Sequence, residues 1–423
     1  MLHKEILSHI LCSSGMRAVH RKPGKYPKPF VRMTTPCPPG TSRAQSYSAY
    51  KFILPYLFPK GSVKNAKVKR ECANIFVRII AFFSGEAEAY MFHIIVNPSS
   101  SSGRGKSKWD KLESRFRQSG VPYKVHFSSS DNTIEQICRE LTSQGEECNL
   151  VVLGGDGTMN AVVNGIQDFE RTRVGFIQIG SGNDLVKGLG IKKSRDELVN
   201  SILEGKTVRT CDIGRITYHN QSSLLDPITH KPLEETPANS EDSRSYSSAG
   251  RVRLFNISAG IGFDAAVCQR ADSSGLKTIL NSVHMGKLIY ISEAVHMILA
   301  SPMTGMKITC DGRETFRPRT LFAVVMNTCY EGGGFKFCPD AVNNDGVLGL
   351  FGAGDLNRMN FFRIFPTAYN GNHLRFKGLF SDKGKSFTIR SAVPLWVHTD
   401  GEVTCKSSEI TIDVSPHKLQ LLI

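Results

Sequence analysis

The sequence lacks a long apolar run and paired cysteines, and each absence excludes a class of protein. No apolar run approaches the roughly 18 residues that a membrane-spanning helix needs, and the best candidate, Ala73 to Phe83, is short and carries Arg78. The eleven cysteines are scattered, and no two of them form a Cys-x-x-Cys pair. This pattern excludes a zinc knuckle and a disulfide framework, and it predicts reduced thiols in a cytosolic protein.

The positive charge is concentrated in one part of the chain. The net charge is +15, from 53 basic and 38 acidic residues. Residues 1–90 hold 15 basic and 4 acidic residues, a net of +11, which leaves +4 for the other 38 basic and 34 acidic residues. The nearly balanced remainder does not indicate a nucleic-acid-binding stripe, although a mildly basic face for anionic lipid stays open.

Residues 1–90 do not have the pattern of a folded domain. Lys22 to Gly40 is rich in Pro, Lys and Gly, and the apolar stretches that follow have no steady period. A transit peptide or a basic membrane-binding arm would fit, since such segments are basic and poor in acidic residues. We favour a basic, disordered extension that takes no part in the chemistry, because Met91 stands directly before the first clean strand.

The stretch Leu150–Thr158 organises the rest of the chain. Its apolar run ends in Gly-Gly-Asp-Gly-Thr, and the apolar residues at 159, 162, 163 and 166 then follow helical spacing. A strand, a glycine turn and a helix in this order leave backbone N–H groups facing one point, which suits a phosphate. Asp156 is the exception, because a carboxylate there repels phosphate unless it holds a metal, accepts a proton or bonds a ligand hydroxyl. The stretch therefore predicts a nucleotide site.

Two similar units lie on either side of this stretch in the sequence. The strand Phe92–Val96 is followed by the Ser/Gly-rich turn Asn97–Lys106, and the strand Val174–Ile179 ends in Gly180–Asp184, a second small-residue turn with a carboxylate. Strands that alternate with helices predict an open, mostly parallel α/β sheet. Ligands of such sheets bind beyond the carboxyl ends of the strands, where these turns would lie.

The pattern changes after residue 215, where β-type segments dominate. We predict a nucleotide-binding α/β domain over 91–215 and a β-sandwich or barrel-like domain over 216–423. A Ser-, Pro- and Glu-rich insertion at 220–250 interrupts the first hairpin of the second domain, and a helix is expected over Leu288–Leu299. The predicted strands are Val252–Ile257, Gly305–Cys310, Leu321–Asn327, Gly346–Phe351, Ser386–Ile389 and Ile410–Val414.

Taken together, the motifs resemble the diacylglycerol kinase catalytic-domain family, in particular its bacterial lipid-kinase branch, over about residues 91–423. NAD kinases and phosphofructokinases share the Gly-Gly-Asp-Gly turn, so the order and spacing of all the motifs carry the resemblance. They are Asn97-Pro98, Gly154–Thr158, Gly180–Asp184, Cys211–Gly214, Gly260–Asp264, Asn343–Gly346 and Asp400-Gly401-Glu402. The resemblance implies an α/β nucleotide domain followed by a β-sandwich, with the active site between them and the last strand, near Leu419–Ile423, rejoining the first domain.

The resemblance also implies the nucleotide site and its acidic network. It places ATP and its Mg²⁺ against backbone and side-chain groups of the glycine turns and their neighbours. These residues are Asn97, Ser101, Ser128, Gly154, Gly155, Asp156, Gly157, Thr158, Met159, Asn160, Ala161, Ser181, Asp184, Asp212 and Lys287.

A second, structural Mg²⁺ is implied at the loop 342–347. Asp345 would supply its carboxylate, with the backbone carbonyls of Val342 and Val347. Asn344 and Gly349 depart from the family, in which many members carry Asp at both positions. Fewer carboxylates weaken such a site, because magnesium prefers hard anionic oxygens.

The implied reaction is phosphoryl transfer from ATP to a lipid hydroxyl, most directly that of diacylglycerol or a related lipid alcohol. Glu402 matches the acidic residue taken as the catalytic base, and Asp156 is the rival base. The expected partners are a lipid substrate and, transiently, a membrane surface. The protein is expected to be cytoplasmic and peripherally associated with the membrane, and a homodimer is one option. A catalytically weak binding protein and an NAD-type small-molecule kinase are the alternatives. His93, His284 and His398 show no metal-ligand spacing and are interpreted as structural.

Overall fold

The computed structural model of the chain describes residues 91–180, 182–205, 207–222, 252–273 and 301–423. The predicted extension 1–90, most of the insertion at 220–250 and the predicted helix Leu288–Leu299 lie outside these ranges. So do two predicted site residues, Ser181 and Lys287. Within the described ranges, no helix is long and apolar enough to cross a membrane.

The first part of the described chain alternates strands and helices. A helical turn at Ser100–Gly103 precedes the first long helix. The elements, in order, are β1 Phe92–Val96, α1 Gly105–Ser119, β2 Tyr123–Phe127, α2 Ile134–Thr142, β3 Cys148–Gly154, α3 Asp156–Gly165, β4 Thr172–Gln178, α4 Asp184–Gly188 and α5 Arg195–Glu204.

The four strands form a parallel sheet in the order β2-β1-β3-β4. Successive β3 residues alternate between the two faces: Val151 packs with Trp109 of α1 and Ile202 of α5, and Val152 packs with Met159 of α3. Both faces are therefore covered by helices, which explains why β3 is buried along its whole length. The strand order reverses between β1 and β3, so the carboxyl ends of these two strands open onto the crevice where such sheets bind ligands.

The second part is dominated by antiparallel strands. Its elements are β5 Val208–Ser222, β6 Val252–Phe255, β7 Ser258–Gly262, α6 Phe263–Ser273, β8 Thr304–Cys310, β9 Arg313–Met326, β10 Leu348–Gly354, α7 Arg358–Ile364, 3₁₀ turns at Phe365–Asn370 and His373–Arg375, β11 Leu379–Gly384, β12 Ser386–Thr399 and β13 Glu402–Leu422. The predicted fold class, an α/β domain followed by a β-rich domain, is confirmed. The predicted boundary at 215/216 lies inside β5.

Strand β13 connects the two parts. It pairs in antiparallel fashion with β12 and β5, and its last residues, Gln420 to Leu422, pair in parallel with Arg173 to Gly175 of β4. All thirteen described strands consequently belong to one continuous sheet. The residue that begins β13, Glu402, is thus fixed by a strand whose other end is built into the parallel sheet of the first part of the chain.

Two histidines on the neighbouring strands β1 and β2 make the fold acid-sensitive. His93 Nδ1 lies 3.1 Å from His126 Nε2. Burial lowers the pKa of His93 to about 4, with further contributions from His126 and Lys124, and burial likewise lowers the pKa of His126. Between pH 6.5 and 4 the unfolded chain therefore binds more protons than the folded chain. The contribution of these two histidines to the free energy of unfolding is complete above pH 6.5, and it is lost as the pH falls toward 4.

We predict that the free energy of unfolding falls by about 1–2 kcal/mol between pH 7.5 and 5 through this pair, because each unit of pKa shift corresponds to about 1.4 kcal/mol and both rings are partly exposed. Urea unfolding at the two pH values measures it. His126→Gln should reduce the loss, whereas His417→Gln, at an exposed position, should leave it unchanged. An equal loss in all three proteins would contradict the assignment to the pair.

Candidate active site

The glycine turn after β3 is held to the turn after β1. Thr158 Oγ1 accepts a hydrogen bond from Asn97 Nδ2 at 3.1 Å and lies 3.3 Å from Ser100 Oγ. Gly154 is required here, since a Cβ at this position would overlap the Thr158 side chain. The two turns therefore form one structure at the point where the strand order reverses, which is where a ligand is expected.

The second glycine turn lies beside the first. Ile179 N donates to Gly154 O at 2.9 Å. A Cβ on Gly180 would lie 3.0 Å from Gly155 Cα, so the two backbones approach more closely than side chains would allow. The structure thus brings together Gly154–Thr158 and Gly180–Asp184, whose main-chain N–H groups can serve a phosphate.

Asp156 and Asp184 are joined by the backbone. Asp156 Oδ2 accepts from Asp184 N at 3.1 Å and Oδ1 from Leu185 N at 3.3 Å. Burial raises the pKa of Asp156 to about 6; the Asp184 and Asp400 carboxylates add to the rise, and the two backbone donors oppose it. Asp184 is 5% exposed, contacts Lys187 Nζ at 3.3 Å and accepts Gly333 N–H at 2.6 Å. The two carboxylates are therefore fixed side by side.

The space between these carboxylates fits a cation with oxygen ligands. A Cβ built on Gly182 would lie 3.2 Å from Asp156 Oδ2 and 3.8 Å from Asp184 Oδ2. Asn183 Oδ1 is buried and has no hydrogen-bond partner among the described residues. No group of three or more His, Cys, Asp or Glu that could hold a metal occurs within the described ranges. One or two carboxylates suffice for Mg²⁺, which keeps several waters and takes further oxygens from phosphates.

Glu402 lies beside the first glycine turn, although it is near the far end of the chain. Its carboxylate approaches Gly157 so closely that a Cβ on Gly157 would overlap Oε1. Glu402 follows a tight hairpin turn in which Asp400 (φ 51°) and Gly401 (φ 89°) both have positive φ, the geometry that suits Asp-Gly in two-residue turns. The catalytic base implied by the resemblance and the glycine turn are thus in contact.

Asp400 anchors this turn. Its buried carboxylate accepts hydrogen bonds from Asn160 Nδ2 at 2.9 Å and from the backbone N–H groups of Asn256, Ile257 and Ser258 at 2.9, 2.7 and 3.0 Å. The side chain of Asn160, predicted as a nucleotide contact, therefore faces the β-rich domain. The turn that carries Glu402 is fixed to helix α3, whose first residues are the glycine turn itself.

Asp212 has a different environment from Asp156 and Asp184. Its side chain pairs with Lys418 and accepts Gly346 N–H at 2.7 Å, and its backbone N–H donates to Asn343 O at 2.6 Å. Asp345 is exposed, and its Oδ1 accepts Val347 N–H at 3.2 Å. The structure thus brings Asp212 to the loop implied for the second magnesium, with the ammonium of Lys418 as its counter-ion.

The remaining predicted nucleotide residues differ in their surroundings. Ser101 adopts left-handed backbone angles (φ 59°) in the turn after β1, and Ser128 N donates to Val96 O at 3.1 Å beyond β2. Met159 is fully buried in the core under the sheet, and Ala161 packs against that core. Any contribution of Met159 to nucleotide binding must come from its backbone.

Sequence reasoning missed a buried polar cluster beside the turn. His398 Nε2 lies 3.0 Å from Asp264 Oδ2 and 3.5 Å from Glu331 Oε1, and Ser258 Oγ donates to Glu331 Oε1 at 2.7 Å. Asp264 belongs to a motif of the resemblance, but His398 shows no spacing that marks it. The available signal was its position two residues before Asp400.

Comparisons with known proteins show which families the two parts of the chain match. Residues 91–216 match the family model of the diacylglycerol kinase catalytic domain, and residues 257–423 match that of the YegS C-terminal NAD kinase beta sandwich-like domain. The chain is 25% identical over 316 residues to a diacylglycerol kinase of Bacillus subtilis strain 168, covering 73% of this chain and 88% of that protein.

Two further similarities agree. A diacylglycerol kinase of Mycobacterium tuberculosis strain H37Rv is 24% identical over 331 residues, covering 78% of this chain and 93% of that protein. The crystal structure of a diacylglycerol kinase from Bacillus anthracis strain Sterne has the same fold, with a TM-score of 0.52 and 18% identity over 79% of this chain and 96% of that one. The chain therefore belongs to the diacylglycerol kinase catalytic-domain family, whose members are kinases that phosphorylate an alcohol group.

Proposed function

We propose that this protein is an ATP-dependent lipid kinase that transfers the γ-phosphate to the hydroxyl of diacylglycerol or a related lipid alcohol. The observation that carries the proposal is the contact of the Glu402 carboxylate with Gly157 in the glycine turn. This contact supports a role for Glu402 as a base beside the turn where phosphate groups would bind. The names of the relatives support a lipid acceptor.

Each part of the site has a role in phosphoryl transfer, where positioning and charge stabilisation do most of the work. Main-chain N–H groups of Gly154–Thr158 and of Gly180 and Gly182 would hold the phosphates, with Asn97 at the edge. Asp156 and Asp184 would hold Mg²⁺, which would neutralise charge on the phosphates. Asp345 with the carbonyls of Val342 and Val347 is the proposed second site; one exposed carboxylate there makes it weak.

Glu402 acts as the base in this proposal. Its carboxylate takes the proton of the lipid hydroxyl, the hydroxyl oxygen forms a bond to the γ-phosphorus, and the bond from that phosphorus to the bridging oxygen breaks as ADP leaves. Asp156 is the weaker candidate, since its carboxylate is oriented by the backbone N–H groups of Asp184 and Leu185 and its remaining lone pairs are assigned here to Mg²⁺.

A lipid acceptor also requires transient contact with a membrane surface, for which the segment 356–381 is suited. It contains four basic and no acidic residues, and Met359 and Tyr369 are 63% and 48% exposed. Tyr369 packs against Phe335 with ring centroids 3.9 Å apart, and the backbone of Phe335 pairs with that of Glu331, beside the His398 cluster. The segment is therefore connected through Phe335 to Glu331 and the His398 cluster.

The proposed function is tested with the purified full chain, labelled ATP, Mg²⁺, and a panel of diacylglycerol, sphingoid bases, other lipid alcohols and NAD. Label in an organic-soluble product supports the lipid kinase. Label in NADP would identify a small-molecule kinase instead. Nucleotide binding without transfer to any acceptor would identify a catalytically weak binding protein.

We predict that Glu402→Gln lowers kcat by on the order of 10²–10⁴-fold, the usual contribution of a general base, and changes ATP affinity less than threefold. Steady-state turnover and binding of a fluorescent ATP analogue measure the two effects. Glu409→Gln is the matched control on the same strand, where Glu409 pairs with Arg390 at 2.8 Å, and it should keep normal turnover. Near-normal turnover in Glu402→Gln would assign the base role to Asp156.

We predict that Gly157→Ala lowers kcat at least tenfold, because the new Cβ takes the position of Glu402 Oε1. In the Glu402→Gln background, Gly157→Ala should lower kcat less than threefold, since the base is already lost. Gly305→Ala, whose Cβ would lie 3.4 Å from the Phe316 ring, is the control. Fully multiplicative losses in the double variant would show that Gly157 acts independently of Glu402.

We predict that Met359→Asp weakens sedimentation with phosphatidylglycerol-containing vesicles at least fivefold, since it places a carboxylate on the proposed contact surface. The assay contains no ATP, so it is independent of turnover. Phe316→Asp changes a residue of similar exposure, 66%, elsewhere on the protein and should bind as the wild type does. Equal weakening by both substitutions would refute the assignment of the surface.

A further inference from the structure

His398 links the acidic cluster to the turn that carries Glu402. It lies at the end of strand β12, is 0% exposed, and has partners at both ring nitrogens. Nε2 lies 3.0 Å from Asp264 Oδ2, and Nδ1 accepts a hydrogen bond from Gly401 N–H at 3.2 Å. The ring thus contacts the residue that directly precedes Glu402.

The geometry determines which nitrogen carries hydrogen. The N–H of Gly401 points at Nδ1, so Nδ1 must present its lone pair, and the ring hydrogen must lie on Nε2, where it is donated to Asp264. This is the neutral Nε2–H form of the ring, in which the Asp264 carboxylate accepts the Nε2 hydrogen bond and so orients the imidazole.

The partners of the ring come from three separate elements. Asp264 lies in the first turn of α6, and Glu331 lies on the glycine loop whose Gly333 N–H donates to Asp184. A Cβ on Gly260 of β7 would overlap the Asp264 carboxylate and lie 2.5 Å from His398 Nε2. The absence of a side chain at Gly260 is therefore what allows the carboxylate and the ring to meet.

A second proton on the ring would break the contact with the turn. Burial lowers the pKa of His398, whereas the carboxylates of Asp264, Glu331 and Asp400 raise it; the Gly401 N–H aimed at Nδ1 opposes the second proton and keeps the ring neutral at neutral pH. That proton would have to sit on Nδ1, where it would face the Gly401 N–H, donor against donor. Protonation of His398 and its hydrogen bond from Gly401 are mutually exclusive, so the described turn requires the neutral ring.

We propose that His398 is a positioning residue for Glu402: its Nδ1 holds the Gly401 amide and thereby fixes the carboxylate at Gly157, while Asp264 holds the ring. This inference rests on the proposed role of Glu402 as the base. It differs from a purely structural role for a buried histidine, because it assigns separate tasks to the two ring nitrogens.

Two substitutions at the same buried position separate these tasks. In His398→Asn the amide oxygen replaces Nδ1 and can still accept from Gly401, whereas in His398→Gln the longer amide replaces Nε2 and leaves Gly401 without its acceptor. We expect kcat to fall at least tenfold in His398→Gln and less than fivefold in His398→Asn, with the KM for ATP within twofold in both. His219→Gln is the control, a half-buried histidine of β5 whose Nε2 lies 3.1 Å from Thr411 Oγ1; it should keep kcat within twofold.

Thermal unfolding of each variant separates turnover from stability. Equal kcat values for the Asn and Gln variants, with wild-type turnover intact, would overturn the inference and leave the proposed function standing. If neither variant folds, Asp264→Asn, which can still accept from Nε2–H, should lose less than fivefold in kcat, and Asp264→Ala should lose at least tenfold. Equal losses would again overturn the inference.

A wild-type chain without transfer to any lipid refutes the proposed function, so a readout that does not depend on turnover is also needed. The ring nitrogens of the ¹⁵N-histidine-labelled full chain provide it, with His398 assigned by the signals that disappear in its variants. We expect an unprotonated Nδ1 and a protonated Nε2 at neutral pH. A doubly protonated ring, or the opposite tautomer, would contradict the geometry on which the inference stands.

Discussion

Five hydrogen bonds from described residues converge on the buried carboxylate of Asp400, one of them from Asn256 Nδ2, and they join parts of the chain that are far apart in sequence. Asn160 lies 240 positions before Asp400, and the three backbone donors lie 142–144 positions before it. A hydrogen bond to a charged group contributes about 1.5–3 kcal/mol, and unpaired buried donors are costly. The turn at Asp400 therefore has one favourable position, and that position puts Glu402 against Gly157.

The long strand β13 connects the turn at Asp400 to strands in both parts of the chain. It begins at Glu402, runs antiparallel to β5 and β12, and ends parallel to β4. A displacement of Glu402 from the glycine turn would therefore disturb a ladder that extends into the parallel sheet of the first part of the chain. The glycine loop at Glu331–Phe335 adds a second connection, since Gly333 donates to Asp184 while Glu331 contacts the His398 cluster. Glu402, the pair Asp156 and Asp184, and the His398 cluster are thus held by a shared framework.

The acidic residues fall into two groups according to their hydrogen-bond and ion-pair partners. Asp156 and Asp184 are held by backbone N–H groups next to the glycine turns, which leaves oxygen capacity for a cation. Asp212 is paired with Lys418, 206 positions later, and with Gly346 of the neighbouring loop. The motif that contains Asp212 was recognisable in the sequence, but its counter-ion was not, because Lys418 belongs to no motif. Likewise, the predicted strand Ser386–Ile389 was too short: β12 continues to Thr399 through exposed residues whose pairing depends on β13, β7 and β8.

The sequence by itself determined the features that depend on neighbouring residues. Helical spacing, apolar strands and the glycine turns at Gly154–Thr158 and Gly180–Asp184 were all readable, since each follows from local backbone and burial requirements. Only the tertiary structure decided which remote side chains meet those turns. Glu402 at Gly157, Asp400 at Asn160 and His398 at Gly401 depend on strand register and on buried hydrogen bonds between distant segments. The spacing of these residues along the chain does not predict such contacts, because the pairing of strands in the sheet sets the distance between the residues.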